Sequence, residues 1–428
     1  MVQIVGFNVA KTMKFLSTLP QAGTFAIAYG SGVYQQLGQS TKGKMVDLIL
    51  VVDNPASWHS DNLRLNPDHY SFLRHLGPSR LTDIQRKFGA KLYFNPMVDY
   101  DDMSFKYGVI HMDDFLCDLL EWEDLYVAGR LHKPVYYLNT KFSNRVASAL
   151  SKNLRSAVLA ALLILPPEFS EEMLFKTIAG ISYSGDVRMT FGEDQNKVSN
   201  IVEAQMPAFR ELYGPTLDTM KDWLEFCNRR AIFEQDITPA AKFHHLNLLP
   251  SNVSEGLTEI YKSRKMGGSI EDCEDAILAA AHDPDARDIL LWRMSEIVKK
   301  SSAGQAVKGA CTAGARKALS YGGQKVLKWL TSVRRTSRCR APVIRSFSAS
   351  TQPEKKIDGK DALPPAEYRQ IFPEFLPNPR LDWRNKLREK LERADMLQRR
   401  KHIEIPEFYV GTIMAVVVSD PHAPGKSS

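Results

Sequence analysis

An apolar run interrupted by one acid constrains this chain more than any other stretch. The segment MVDLILVV, residues 45–52, is too short for a helix of ordinary length and too apolar for a loop. It reads as a strand buried on both faces, bounded by Asp-Asn-Pro. TFAIAYG, 24–30, reads the same way, and the polar GQSTKGK separates the two. A carboxylate inside such a run is costly to bury unless it is paired or metal-bound. Asp47 is therefore expected where its strand opens onto a site.

The end of the first strand supplies the other half of that expectation. Gly30, Ser31 and Gly32 follow Tyr29, and Ser31 precedes Asp47 by sixteen residues. Glycine lets a backbone approach a phosphate closely, successive N–H groups can point at its oxygens, and a serine hydroxyl adds a donor. A carboxylate on the next strand can hold Mg²⁺ against the same phosphates. The pattern is neither a Walker loop nor a dinucleotide fingerprint. It suits a nucleotidyltransferase palm, in which Asp47 and Ser31 are the candidate catalytic residues. Such a palm usually carries a second carboxylate two residues on, and here that position is Ile49. Asp53 has the right parity, but six residues of strand span about 20 Å, so it either ligates separately or caps the helix after Pro55. Asp186, in the glycine turn SYSGDVRM, is the other candidate metal ligand. Arg130, Lys133, Arg188 and Lys197 are candidate anion-binding cations, each of them otherwise a surface charge.

The remaining pattern predicts an α+β chain. Strands are expected at 89–98, 106–112 and 133–139, and helices at 3–19, 55–76 (ending at Gly77-Pro78) and 112–131. After Thr140 the character becomes helical: 144–165, 170–181, 194–226, 270–283 and 285–300. The expected organisation is a nucleotidyltransferase-like mixed sheet with helices over 1–140, a mainly helical domain over 141–335, a disordered linker over 336–380 and a further unit over 381–428.

Charge and cysteine usage exclude several classes. The 428 residues carry a formal charge of +7, but the 95 residues from Arg334 onward hold all of that excess. A nucleic-acid reading drawn from basicity therefore applies only to the tail. The five cysteines have no zinc or redox spacing, which suits a reducing compartment. The apolar run AVLAALLIL, 157–165, is short of the ~20 residues that a spanning helix needs, and no secretory signal pattern opens the chain. Membrane contact is therefore expected to be peripheral. RKALSYGGQKVLKWLTSVRR, 316–335, is the segment for it, being basic with an apolar face and Trp329. The same pattern also suits a terminal helix docked on its own core.

Several stretches together resemble one family. YGSGVYQQ, VDLILVVDNPASWHSDNL, HYSFLRHLGP, GAKLYFNP, KYGVI, LYVAGRLHKPV, ISYSGDVRM and FRELYG are similar, in order and over about residues 10–335, to the mitochondrial CDP-diacylglycerol synthases, also called mitochondrial translocator assembly and maintenance proteins. The resemblance implies phosphatidate cytidylyltransferase activity: CTP and phosphatidic acid give CDP-diacylglycerol and pyrophosphate with Mg²⁺, at the matrix face of the inner membrane, for cardiolipin synthesis. It implies Gly30 and Ser31 as the phosphate loop and Asp47 as the metal ligand.

The tail resembles something else. RRTSRCRAPVIRSFSAST, 334–351, has the Arg- and Ser-rich, acid-free composition of a mitochondrial presequence. IFPEFLPNP and the stretch from Lys386 to Lys426 resemble the start of the mitochondrial large-subunit ribosomal protein of the bacterial nineteen family, without most of its barrel. The chain thus reads as two mitochondrial proteins joined, by a gene join or by a fusion transcript, with rRNA a partner of the tail if the fusion is real. The competing functional expectation is a ribosomal or RNA-binding component whose first domain is not catalytic. Residues 341–380 are expected to pack little on the rest.

Overall fold

The computed structural model describes residues 7–20, 25–38, 40–41, 43–138, 143–190, 194, 196–263 and 273–338; the side chains of Thr190 and of 314–338 are not among the described atoms. The linker, the ribosomal-like tail and the expected loose packing of 341–380 lie outside the described residues.

The first half folds as α1 (Val9–Ser17), β1 (Phe25–Tyr29), β2 (Val46–Val52), α2 (Pro55–Leu65), α3 (Gly77–Lys87), β3 (Tyr93–Tyr100), β4 (Met103–His111), α4 (Met112–Glu121), α5 (Ala128–Leu131) and β5 (Tyr136–Tyr137). The five strands form one mixed sheet in the order β3-β4-β2-β1-β5. β2 runs parallel to β4 and antiparallel to β1, while β3 and β4 form a hairpin. The apolar runs are continuous because both faces of the sheet are covered. Ala26, Ala28, Leu48, Leu50 and Val52 pack toward Phe15 of α1 and Trp58 of α2. Phe25, Ile27, Ile49 and Val51 join a larger core on the other face.

That larger core is built by α6 (Asn144–Ile164), β6 (Glu168–Ser170), α7 (Glu171–Ile181), α8 (Val187–Thr190), α9 (Lys197–Asp218), β7 (Leu224–Cys227), β8 (Ile232–Gln235), α10 (Pro239–Asn247), α11 (Ser251–Ser263), α12 (Cys273–His282) and α13 (Ala286–Arg338). By length and composition α6 could cross a membrane. It is instead mostly buried against α4, α7, α9 and α10, as a central core helix is. β6, β8 and β7 form a small antiparallel sheet beside it.

Five expectations are corrected. The helix from Pro55 stops at Leu65, because Asn66-Pro67 cannot continue it. Gly77-Pro78 then opens α3 rather than closing α2, with proline in the first turn where its missing N–H costs nothing. The cap of α2 is Asn54, whose side chain accepts from Ser57 N at 3.1 Å, not Asp53. The helix expected over 112–131 breaks at Trp122, which takes a left-handed φ of 52°. The segments 285–300 and 316–335 are parts of one helix, α13, which runs through the Gly322-Gly323 pair.

A buried polar cluster sits between α2, α3 and the β3–β4 hairpin. His59 is fully buried, with Nδ1 2.8 Å from the Tyr70 hydroxyl and Nε2 2.9 Å from Gln85 Oε1. Burial pushes its pKa down from 6.5 to about 4. Between those two values the unfolded chain binds a proton that the folded chain excludes, so stability rises with pH through the window and levels off above 6.5. His59→Gln is expected to remove about 1.4 kcal/mol per pH unit from the slope of unfolding free energy in that window. Urea denaturation of the full chain at pH 4.5, 5.5 and 6.5 measures this. An unchanged slope would mean that His59 is protonated in the fold.

Candidate active site

β1 ends and β2 begins at the same end of the sheet, and there the register lines up three side chains. Tyr29 pairs with Asp47 and Asp47 pairs with Lys106, so the three share one face in a row across β1, β2 and β4. It is the face that carries Ile49 and Val51 into the larger core. Lys106 Nζ lies 3.4 Å from Asp47 Oδ1 and 4.4 Å from the centre of the Phe94 ring. Asp47 is still 27% exposed, so the row opens at the sheet end.

The Gly-Ser turn closes over this row. Gly30 has φ +82°, and a Cβ there would stand 3.2 Å from Asp47 Oδ2. Only glycine permits both the conformation and the approach. Val33 N and Tyr34 N donate to Gly30 O at 3.1 and 2.9 Å. Among the described residues no backbone carbonyl accepts from Ser31 N or Gly32 N. Two successive N–H groups at the head of a tight turn make an anion-binding nest.

The cations enter from the helical side. The Arg130 guanidinium stacks 3.6 Å over the Tyr126 ring and stands 5.6 Å from that of Tyr29, and its Nε is buried without a hydrogen-bond partner. Burial pushes the Tyr126 phenol up, but Arg130, Arg188 and Lys106 together bring it below its ordinary 10.0. Lys133 Nζ donates to Ser182 Oγ at 2.8 Å and to Gly129 O. A Cβ on Gly129 would fall 2.3 Å from Ser182 Cβ, so α5 reaches the end of α7 only because that residue is glycine. Lys133 and Lys197 lie 5.0 and 5.8 Å from the centre of one ring, Tyr183. Arg188 grips the buried Asp186, with Nε 2.9 and 3.1 Å from its two oxygens, and this outweighs burial to hold the Asp186 carboxyl below its ordinary range.

Comparison with known proteins bears on this grouping of cations, carboxylate and glycine turn. The family model described as "Phosphatidate cytidylyltransferase, mitochondrial" matches residues 12–328. The protein of that name from zebrafish (Danio rerio) is 43% identical over 326 residues, 75% of this chain and 95% of its own. Those of Bos taurus and Xenopus laevis are 43% and 41% identical, covering 76% and 75% of this chain and 96% and 95% of their own. The chain belongs to the mitochondrial phosphatidate cytidylyltransferase family. The match ends at residue 328, short of the ribosomal-like stretch.

The structure brings the candidate cations together and the candidate acids only in part. Gly30, Ser31, Gly32, Asp47, Arg130, Lys133, Arg188 and Lys197 all come to one region. Asp53 does not, since it is exposed at the opposite end of β2 from Asp47. Asp186 reaches the region but is engaged by Arg188. Ile49 is fully buried, so β2 offers no second acid there. Among the described residues no cluster of three His, Cys, Asp or Glu could hold a metal. The donor set therefore fits a cation held by Asp47 together with substrate phosphate oxygens, the usual mode for Mg²⁺, and not an all-protein cage.

Lys106, Tyr126 and Asp118 escaped the sequence reading. Lys106 carried the same signal as Asp47, a charge inside an apolar strand. Asp118 lies on the buried face of α4 with Phe115 and Leu119. Its Oδ2 accepts from the N–H groups of Tyr126, Val127 and Ala128 at 3.1, 2.7 and 3.0 Å, and Oδ1 from Asp124 N at 2.9 Å. These bonds shape the turn that presents Tyr126 and Arg130. Asp118→Ala leaves those donors without an acceptor, at a cost on the order of 3 kcal/mol. A melting temperature several degrees lower by circular dichroism, with weakened CTP binding, is the expected result; an unchanged melt would mean that the turn is held by other contacts.

Proposed function

We propose that this chain transfers the cytidylyl group of CTP to phosphatidic acid, giving CDP-diacylglycerol and pyrophosphate. The observation that carries the proposal is the Asp47 carboxylate facing the Gly30 turn beside Lys106, with Arg130 near Tyr29 of the same row, in a chain of this family. An oxygen of the phosphatidate phosphate attacks the α-phosphorus of CTP. A new P–O bond forms, the bond to the bridging oxygen of the β-phosphate breaks, and pyrophosphate leaves with the electron pair.

Each residue has a task in that displacement. The N–H groups of Ser31 and Gly32, with the Ser31 hydroxyl, hold triphosphate oxygens. Asp47 would hold Mg²⁺, and Lys106 keeps the Asp47 carboxylate oriented. When bound, the ion would neutralise the triphosphate and stabilise the leaving pyrophosphate. Arg130 offers its unpartnered Nε to a phosphate oxygen, and Arg188 adds positive charge beside it. No general base is needed, because a phosphate monoester with a second pKa of about 6 is already an anion near neutrality.

The relatives are named mitochondrial, and the setting we propose is the matrix face of the inner membrane, where the product feeds cardiolipin synthesis. The basic stretch 316–335, the far part of α13, would supply peripheral contact with anionic lipid.

The full chain incubated with CTP, Mg²⁺ and phosphatidic acid in vesicles is expected to form CDP-diacylglycerol. Asp47→Asn is expected to lower turnover at least about a hundredfold with an unchanged circular dichroism spectrum. Folded wild-type protein that makes no product would overturn the reaction, and an active Asp47→Asn variant would move the metal site elsewhere.

A further inference from the structure

α13 is clamped to the first half of the chain at three successive points. Gln305 Oε1 accepts from Ala90 N at 3.2 Å, and its Nε2 donates to Leu92 O at 3.3 Å. The buried Lys308 donates to Gln85 O at 3.0 Å and to Phe88 O, at the end of α3. Further along, Cys311 O accepts from Ser71 Oγ at 3.2 Å. α13 then continues to Arg338. The basic stretch 316–335 therefore begins within about two helical turns of a fixed place on the body.

Exposed apolar side chains border that place. Ser71 opens a 3₁₀ turn, Phe72–Leu76, anchored by Leu73, which is buried with Tyr70, Leu81 and Tyr93. Phe72 and Leu76 of the same turn are at least half exposed. So are Phe88, whose carbonyl holds Lys308, and Val307 on α13 itself. Exposed apolar residues scattered singly are ordinary, but these four border one segment of one helix. The charges beside them are basic. Residues 69–82 hold Arg74 and Arg80 and no Asp or Glu. Asp68 meets Arg74 at 3.3 Å in an exposed pair that water screens, and Asp83, near Arg80, is paired with Lys87.

We infer that the Phe72–Leu76 turn, with Phe88 and Val307, is a second lipid-contact surface, which enters an anionic bilayer beside the basic stretch of α13. It rests on the reading of 316–335 as a peripheral membrane contact and extends that contact to a distant part of the sequence. Apolar tips flanked by arginines match a bilayer interface, where acyl chains lie beneath anionic headgroups. Ser71 ties the turn to α13, so a bilayer met by the one lies within reach of the other. A diacyl substrate also has to be met at such a surface, because its chains are costly to expose to water.

The test uses the full chain and vesicles of phosphatidylcholine mixed with phosphatidic acid. Phe72→Ser, with an unchanged melting curve, is expected to weaken vesicle binding by flotation at least about fivefold. Its turnover of a water-soluble short-chain phosphatidic acid is expected to stay within about twofold of wild type. Val307→Ser is expected to repeat the loss of binding. Phe72→Trp is expected to keep binding and to add a fluorescence, relative to wild type, that brominated acyl chains quench. Unchanged binding in Phe72→Ser, or an added Trp signal that brominated chains do not quench, would overturn the second surface and leave the 316–335 contact standing. Dimers that Phe72→Ser dissolves, with vesicle binding intact, would overturn it by assigning the surface to a second copy of the chain. Wild-type protein that does not bind the vesicles would instead overturn the peripheral reading on which the surface rests.

Discussion

A carboxylate on the core side of a central strand sets the terms for the rest of this structure. Asp47 shares its face of β2 with Ile49 and Val51, both fully buried. One strand position further in, the charge would be surrounded by apolar side chains and strongly destabilising. It is tolerable where it lies because β2 begins there, because Lys106 stands beside it on β4, and because Gly30 leaves room above it. The pair is partly open to water, so its net contribution to stability is modest. The pair keeps a carboxylate and an ammonium facing one opening at the end of the sheet.

The cations opposite are held by backbone contacts more than by one another. Asp118 gathers the N–H groups of 124–128, and Asn153 on α6 donates to Ala128 O at 3.1 Å and accepts from Trp122 Nε1 at 2.8 Å. Tyr213 on α9 donates to His132 O at 2.8 Å. The other cation-bearing segment is tied to α13, where Val187 N donates to Ser302 Oγ at 3.3 Å. Like charges are thus brought together by hydrogen bonds that carry none of the charge themselves. Such an arrangement is shaped by the fold itself.

The long, strongly patterned elements were legible in the sequence. β1, β2, α6 and α7 stand close to where apolar runs and their bounding prolines, serines and glycines put them. The losses were local. Gly-Pro at 77–78 serves equally as a stop and as a start. A left-handed Trp122 carries no composition signal, since what holds it is the distant Asn153. The strands β6, β7 and β8 have three or four residues each, too few to show a period. At the site, the glycine turn, Asp47 and the four cations were legible as residue types in suggestive settings. Lys106 and Asp118 were not singled out, although each is a charge inside an apolar pattern.

The sequence by itself determined that two buried strands meet at a glycine turn with an acid on the second, and it carried the family resemblance. Those are properties of spacing and residue type, which the chain holds before it folds. Only the tertiary structure decided which acids and cations share a site. Asp53 and Asp47 are six residues apart yet lie at opposite ends of one strand, because a strand advances about 3.3 Å per residue. Lys133 and Lys197 are 64 residues apart yet stand on one tyrosine ring, because α5, α7 and α9 pack on the same core. Proximity of that kind is set by packing against third parties, and no local pattern records it.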